Sequence, residues 1–157
     1  MSTTNVTVDV DLSCALSRAS YSLATEVTAA LAEVGLTQRT YSVLNQALDE
    51  EYTQIRLAEV CQLDKTTMVN TLDEMARDEL VERRPSTTDR RARIIVVTPI
   101  GRDAATRAAD IVAAIYADVL AAIPADERGS FVKNLALLAD GRLGAPVSCD
   151  RMPRRPR

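Results

Sequence analysis

The chain has 157 residues, 46% apolar and 26% charged, the balance of a single globular domain. It contains no histidine, which excludes Ser/His and Cys/His catalytic couples, and the spacing of Cys14, Cys61 and Cys149 forms no CxxC pair, so free cytosolic thiols are expected and neither a metal site nor a cofactor. Net charge is −3, but residues 83–102 carry six arginines against Asp89 alone, and residues 141–157 carry five against Asp150. An acidic body with one concentrated basic segment points to a polyanion held at one place.

Polar residues 1–10 lack a basic segment followed by an apolar core, so a flexible N-terminus and no signal peptide are expected. No apolar run reaches 18 residues, so no membrane span is expected. From Leu12, apolar residues recur at Leu16, Ala19, Leu23, Val27, Ala30 and Val34, one stripe of a six-turn helix that Gly35 can end. Thr37 can cap a second helix, with Leu36 and Tyr41 as a hydrophobic staple. Thr53 can cap a short third helix, Gln54 to Cys61, and Asp64 a fourth, with Met68, Val69, Leu72, Met75 and Ala76 apolar.

The period then changes. Residues 80–84 read as a strand, 85–89 as a turn-rich loop, and Ile94 to Val97 as the returning strand, a hairpin with a basic tip. Thr98 and Pro99 open a long Ala-rich helix to about Ile123, Pro124 breaks it, and a last helix spans about Ala125 to Asp140 with Phe131, Leu135 and Leu138 on one face. Residues 141–157 read as a disordered basic tail. The fold class is mainly α (α+β): a winged helix-turn-helix over about 37–98, flanked by long helices at 11–34 and 99–140, in one domain spanning 11–140.

This order suits duplex DNA, whose major groove admits a helix and whose narrow minor groove attracts arginine. The start of the fourth helix offers Lys65, Thr66, Thr67, Asn70 and Thr71, and the hairpin offers Arg84, Asp89, Arg90, Arg91 and Arg93. Lys65 in the first helical turn opposes the helix dipole, which favours a phosphate-binding role. Strand alternation lets only one of Arg83 and Arg84 face DNA.

Asp64-Lys65-Thr66-Thr67-Met68-Val69, Leu80-Val81-Glu82-Arg83, Asp89-Arg90-Arg91-Ala92 and Val97-Thr98-Pro99-Ile100-Gly101 resemble the MarR family of bacterial transcription regulators, over about residues 10–140. The resemblance implies a cytoplasmic homodimer paired through its first and last two helices. It implies a fourth helix in the major groove of a pseudo-palindromic operator, Arg91 entering the minor groove and Asp89 orienting it. It further implies a repressor released by a small aromatic or phenolic ligand. Arg18, in the first helix, falls where some relatives grip a carboxylate, and Tyr41 could line the same pocket. A peroxide-sensing branch carries a reactive cysteine near Cys14, although Cys14 is one residue out of step. Two departures are visible: Asp78-Glu79 replace the usual junction glycine, and Asn70 stands where an arginine is common. A protein-interaction winged helix without DNA binding is the rival in another class, and an enzyme is disfavoured for want of a nucleophile with a base. Arg91→Ala is expected to weaken operator binding by about 1–3 kcal/mol without loss of folding; unchanged affinity for its upstream DNA would refute the wing assignment.

Overall fold

The computed structural model describes residues 10–86 and 93–145. Six helices and three strands follow in order: α1 (Leu12–Glu33), α2 (Gln38–Asp49), β1 (Tyr52–Thr53), α3 (Gln54–Val60), α4 (Lys65–Arg77), β2 (Val81–Pro85), β3 (Arg93–Val97), α5 (Pro99–Ala121) and α6 (Arg128–Asp140). They divide into two compact units, Met1–Ile115 and Tyr116–Arg157, taken separately below. The architecture is a winged helix-turn-helix within a mainly helical chain.

In the first unit every helix start from α1 to α4 is capped as its sequence specifies. Asp11, Thr37, Thr53 and Asp64 each accept a hydrogen bond from the backbone N–H three residues on. The ends of α1, α3 and α4 close alike. The N–H groups of Leu36, Leu63 and Leu80 reach back to the carbonyls of Leu31, Ala58 and Met75, at 2.8–3.0 Å. The turn residue is Gly35 (φ +74°) in the first case, but Gln62 (φ 53°) and Glu79 (φ 58°) in the others. The left-handed turn expected at Asp78-Glu79 is therefore present without glycine.

The three-stranded antiparallel sheet has the order β1-β3-β2, with Arg83 opposite Ile95 and Pro85 opposite Arg93. β1, which pairs Tyr52 with Ile95, is not predicted by the sequence pattern. Two residues are too few to show alternation. The core gathers Leu31, Val43, Leu44, Leu57, Met68, Leu72, Met75 and Ile95, all essentially fully buried.

The stripe along α1 is buried only in part. Val27 is buried, but the next buried residue is Leu31, while Ala30 and Val34 are half-buried and Leu12 and Ala19 exposed. At about 100° per residue the seven positions stay within about 80° of one another, so the exposed ones share one side of α1 with Val27.

The hairpin joins α5 through a close approach. A Cβ on Gly101 would lie 2.1 Å from the Leu80 carbonyl oxygen, so only glycine fits against that strand. The Thr98 hydroxyl donates to the Glu79 carbonyl (2.6 Å) and accepts from the Gly101 N–H (3.0 Å), and the Thr98 N–H donates to the Leu80 carbonyl (3.1 Å).

In the second unit α6 begins at Arg128, after a turn over 125–127, rather than at Ala125. The Arg128 guanidinium donates to the carbonyls of Ile123 (2.9 Å) and Ala121 (3.3 Å). It satisfies acceptors left open where α5 ends, a role otherwise taken by a terminal cation. Phe131, Val132, Leu135, Leu137 and Leu138 are all exposed, so α6 has no buried residue.

Glu79→Gly should relieve the left-handed strain, which exceeds glycine's added unfolded-state entropy, and stabilise the protein by about 0.5–1 kcal/mol. A urea melt checks this, and a lower midpoint would contradict it.

Candidate nucleic-acid interface

α3 and α4 flank a turn of four residues, Cys61 to Asp64, and α4 is anchored from beneath. Met68, Leu72 and Met75 are fully buried at i, i+4 and i+7, which fixes the opposite face outward. Thr66 and Asn70 are exposed on that side, and Lys65, three residues before Met68, is exposed in the first turn.

Thr67 is half-buried and engaged. Its N–H donates to Asp64 Oδ1 at 2.9 Å and its hydroxyl to Oδ2 at 2.5 Å. These bonds from Thr67 favour the charged form and hold the Asp64 carboxyl below its ordinary value. Thr71 is a correction. Expected on the exposed face, it is 2% exposed, with its hydroxyl donating to the Thr67 carbonyl at 2.7 Å. It lies three residues after Met68 and four before Met75, on the buried face, and the bond within the helix lets the hydroxyl be buried without an unpaired group.

Of the hairpin candidates, Arg84 is exposed and ion-paired to Glu82 two residues before it on the same face. Arg93 is exposed opposite Pro85. Asp89, Arg90 and Arg91 lie outside the described residues. Sequence reasoning missed a tie between the two elements: Arg83 donates to Asp73 at 2.6 Å, joining β2 to the middle of α4. Opposite charges ten residues apart carry no local signal, so only the fold reveals the pair.

The effector candidates are dispersed. Arg18 is exposed and lines a shallow hollow on α1 with Ala15, Ala19 and Ser22, a hollow that does not include Tyr41. Tyr41 is half-buried against the core. Cys14 is exposed in the first turn of α1, whose N-cap is the Asp11 carboxylate. Cys61 is half-buried against the core, and burial pushes its thiol up. Among the described residues no cluster of acidic or cysteine side chains could hold a metal ion, and no helix is long and apolar enough to cross a membrane.

The MarR family model matches residues 34–92 of this chain. The structure resembles that of the transcriptional repressor CouR bound to a 23-mer DNA duplex, with 29% identity and a TM-score of 0.71 over 82% of this chain and 92% of that one. CouR from Rhodococcus jostii bound to p-coumaroyl-CoA is 30% identical over the same shares, with a TM-score of 0.69. A MarR family protein of Mycobacterium tuberculosis in complex with p-aminosalicylic acid is 27% identical over 87% of this chain and 100% of that one, with a TM-score of 0.65. No curated protein matches the sequence.

The Asp64 cap makes the contribution of this helix start to stability pH-dependent. Its carboxyl sits below 3.8 in the folded state, so its contribution is complete above that value and is lost as pH falls through the lowered one. Asp64→Asn keeps an acceptor but does not titrate. The melting-temperature advantage of the wild type over Asp64→Asn should therefore narrow between about pH 7 and about pH 3; a constant gap in thermal melts would contradict it.

Proposed function

We propose that this chain, which belongs to the MarR family of DNA-binding transcription regulators, acts as a homodimeric cytoplasmic repressor that leaves its operator when a small aromatic or phenolic ligand binds. One observation carries the DNA reading: the start of α4 is pinned from below by Met68, Leu72 and Met75 and presents Lys65, Thr66 and Asn70 outward. A rigid helix with a cation and short amide and hydroxyl groups at its leading end suits base edges and phosphates in the major groove. Arg84, Arg90, Arg91 and Arg93 are the proposed wing contacts, with Asp89 orienting Arg91.

Uncovered apolar surface supports pairing. Leu12 and Tyr21 on α1 are 59% and 74% exposed, and α6 exposes its whole apolar set. Apolar faces of this extent mark interaction sites. The pattern fits the proposal that residues 11–34 and 99–140 supply the dimer contacts.

The relatives with bound p-coumaroyl-CoA and p-aminosalicylic acid support an aromatic effector, for which Arg18 and Tyr41 remain the proposed contacts. The exposure of Cys14 favours a second reading, release by oxidation. Peroxide release that is lost in Cys14→Ser would select the second reading over the first.

The purified protein should sediment as a dimer and bind half-sites spaced by about one helical turn, about 10 bp. With about four phosphates neutralised per subunit, the slope of log K against log salt should be near about −7. A strict monomer, or binding to duplex without salt dependence, would overturn the proposal.

A further inference from the structure

Ile55 is out of character for its place. It is the second residue of α3 and is 68% exposed, while Leu57 and Ala58 just after it are buried. Its side chain lines a groove of about 300 Å³ between α3 and the start of α4. Ala58, Leu63 and Met68 supply apolar lining, and Lys65, the first residue of α4, lines the same groove. Glu59 is also on its wall, but its carboxylate accepts from Arg56 at 2.8 Å, which offsets the one negative charge facing the groove.

A branched apolar side chain and an exposed cation therefore open on one groove at the leading end of α4. The chemistry of the occupant follows. An apolar protein segment seated there would bury Lys65 without a counter-charge, which is costly. Duplex DNA satisfies both demands, because its phosphates pair with the cation and its major groove displays one apolar group among donors and acceptors, the C5-methyl of thymine.

We infer that Ile55 is a specificity-determining residue: its methyl groups pack against a thymine C5-methyl while Lys65 engages a neighbouring phosphate. The inference rests on the DNA-binding reading above and adds to it a preferred base, read by a residue of the helix before α4.

The test uses full-length protein and a duplex selected by it from a random-sequence pool. Each thymidine is replaced in turn by deoxyuridine, which lacks only the C5-methyl, and affinity is read by fluorescence anisotropy at fixed salt. At one position per half-site, deoxyuridine should weaken wild-type binding about 4-fold, the worth of one buried methyl-sized group. Ile55→Ser should lose the same factor on the thymidine duplex and nothing further on the deoxyuridine duplex, whereas Ile55→Val should restore discrimination. An unchanged melting curve establishes that both variants fold.

If wild type and Ile55→Ser respond alike at every position, Ile55 reads no methyl group and the inference fails while the DNA reading stands. If Ile55→Ser binds every duplex as the wild type does but loses repression in a reconstituted transcription assay, the groove serves a protein partner and the inference is likewise overturned. If the wild type retains no duplex from the pool, the DNA reading itself falls.

Discussion

The backbone of Leu80 is the point at which the winged helix of this protein is held together. Its N–H closes the end of α4 on the Met75 carbonyl, and its oxygen receives the Thr98 N–H at the start of α5. Glycine at 101 is required because that oxygen occupies the space where a side chain would begin. Thr98 ties the preceding carbonyl of Glu79 into the same knot. The end of α4, the base of the hairpin and the start of α5 are thus one corner, and their relative directions are fixed by backbone groups and the short Thr98 hydroxyl. The motif Val97-Thr98-Pro99-Ile100-Gly101 has this physical content. Threonine caps and latches, proline enters the helix at a position that needs no N–H, and glycine permits contact.

Charge is distributed around that corner with the same logic. α4 carries carboxylates as well as Lys65, and a carboxylate facing phosphate repels it. Asp64 is drawn into the cap by Thr67, and Asp73 is tied to Arg83 of the hairpin. The exposed ion pair itself adds little stability. Its consequence is geometric and electrostatic: it links helix to strand and removes a repulsive charge from the middle of α4. The acidic excess elsewhere in the chain then leaves attraction concentrated at the arginine-rich hairpin.

Local rules explain what was legible in the sequence. Thr37, Thr53 and Asp64 were readable as caps because a cap is decided by residues three apart. The left-handed residue at Glu79 was readable only through the family resemblance, which places a glycine at that junction. Thr71 was misread because its polarity was given more weight than its spacing from Met68 and Met75, and a hydroxyl bonded within its own helix is cheap to bury. The Arg83–Asp73 tie and strand β1 are products of tertiary pairing, on which a single chain's pattern is silent. Ile55 was overlooked for a related reason: one apolar residue in a short amphipathic helix reads as core until its exposure is known.

The apolar surface left open and the small number of groups at the leading end of α4 bear on each other. In the proposed reading one subunit would offer DNA only Lys65, Thr66 and Asn70 from the start of α4, too few contacts to hold a site against the excess of competing DNA. Joining two such subunits makes the second half-site contact intramolecular, so affinity rises without any new base contact. In the proposed dimer the exposed side chains of α1 and α6 would supply that joining energy. A ligand that altered the subunit pairing would then weaken DNA binding without touching α4, because the spacing of the two helices, rather than the chemistry of either one, would be what it changed.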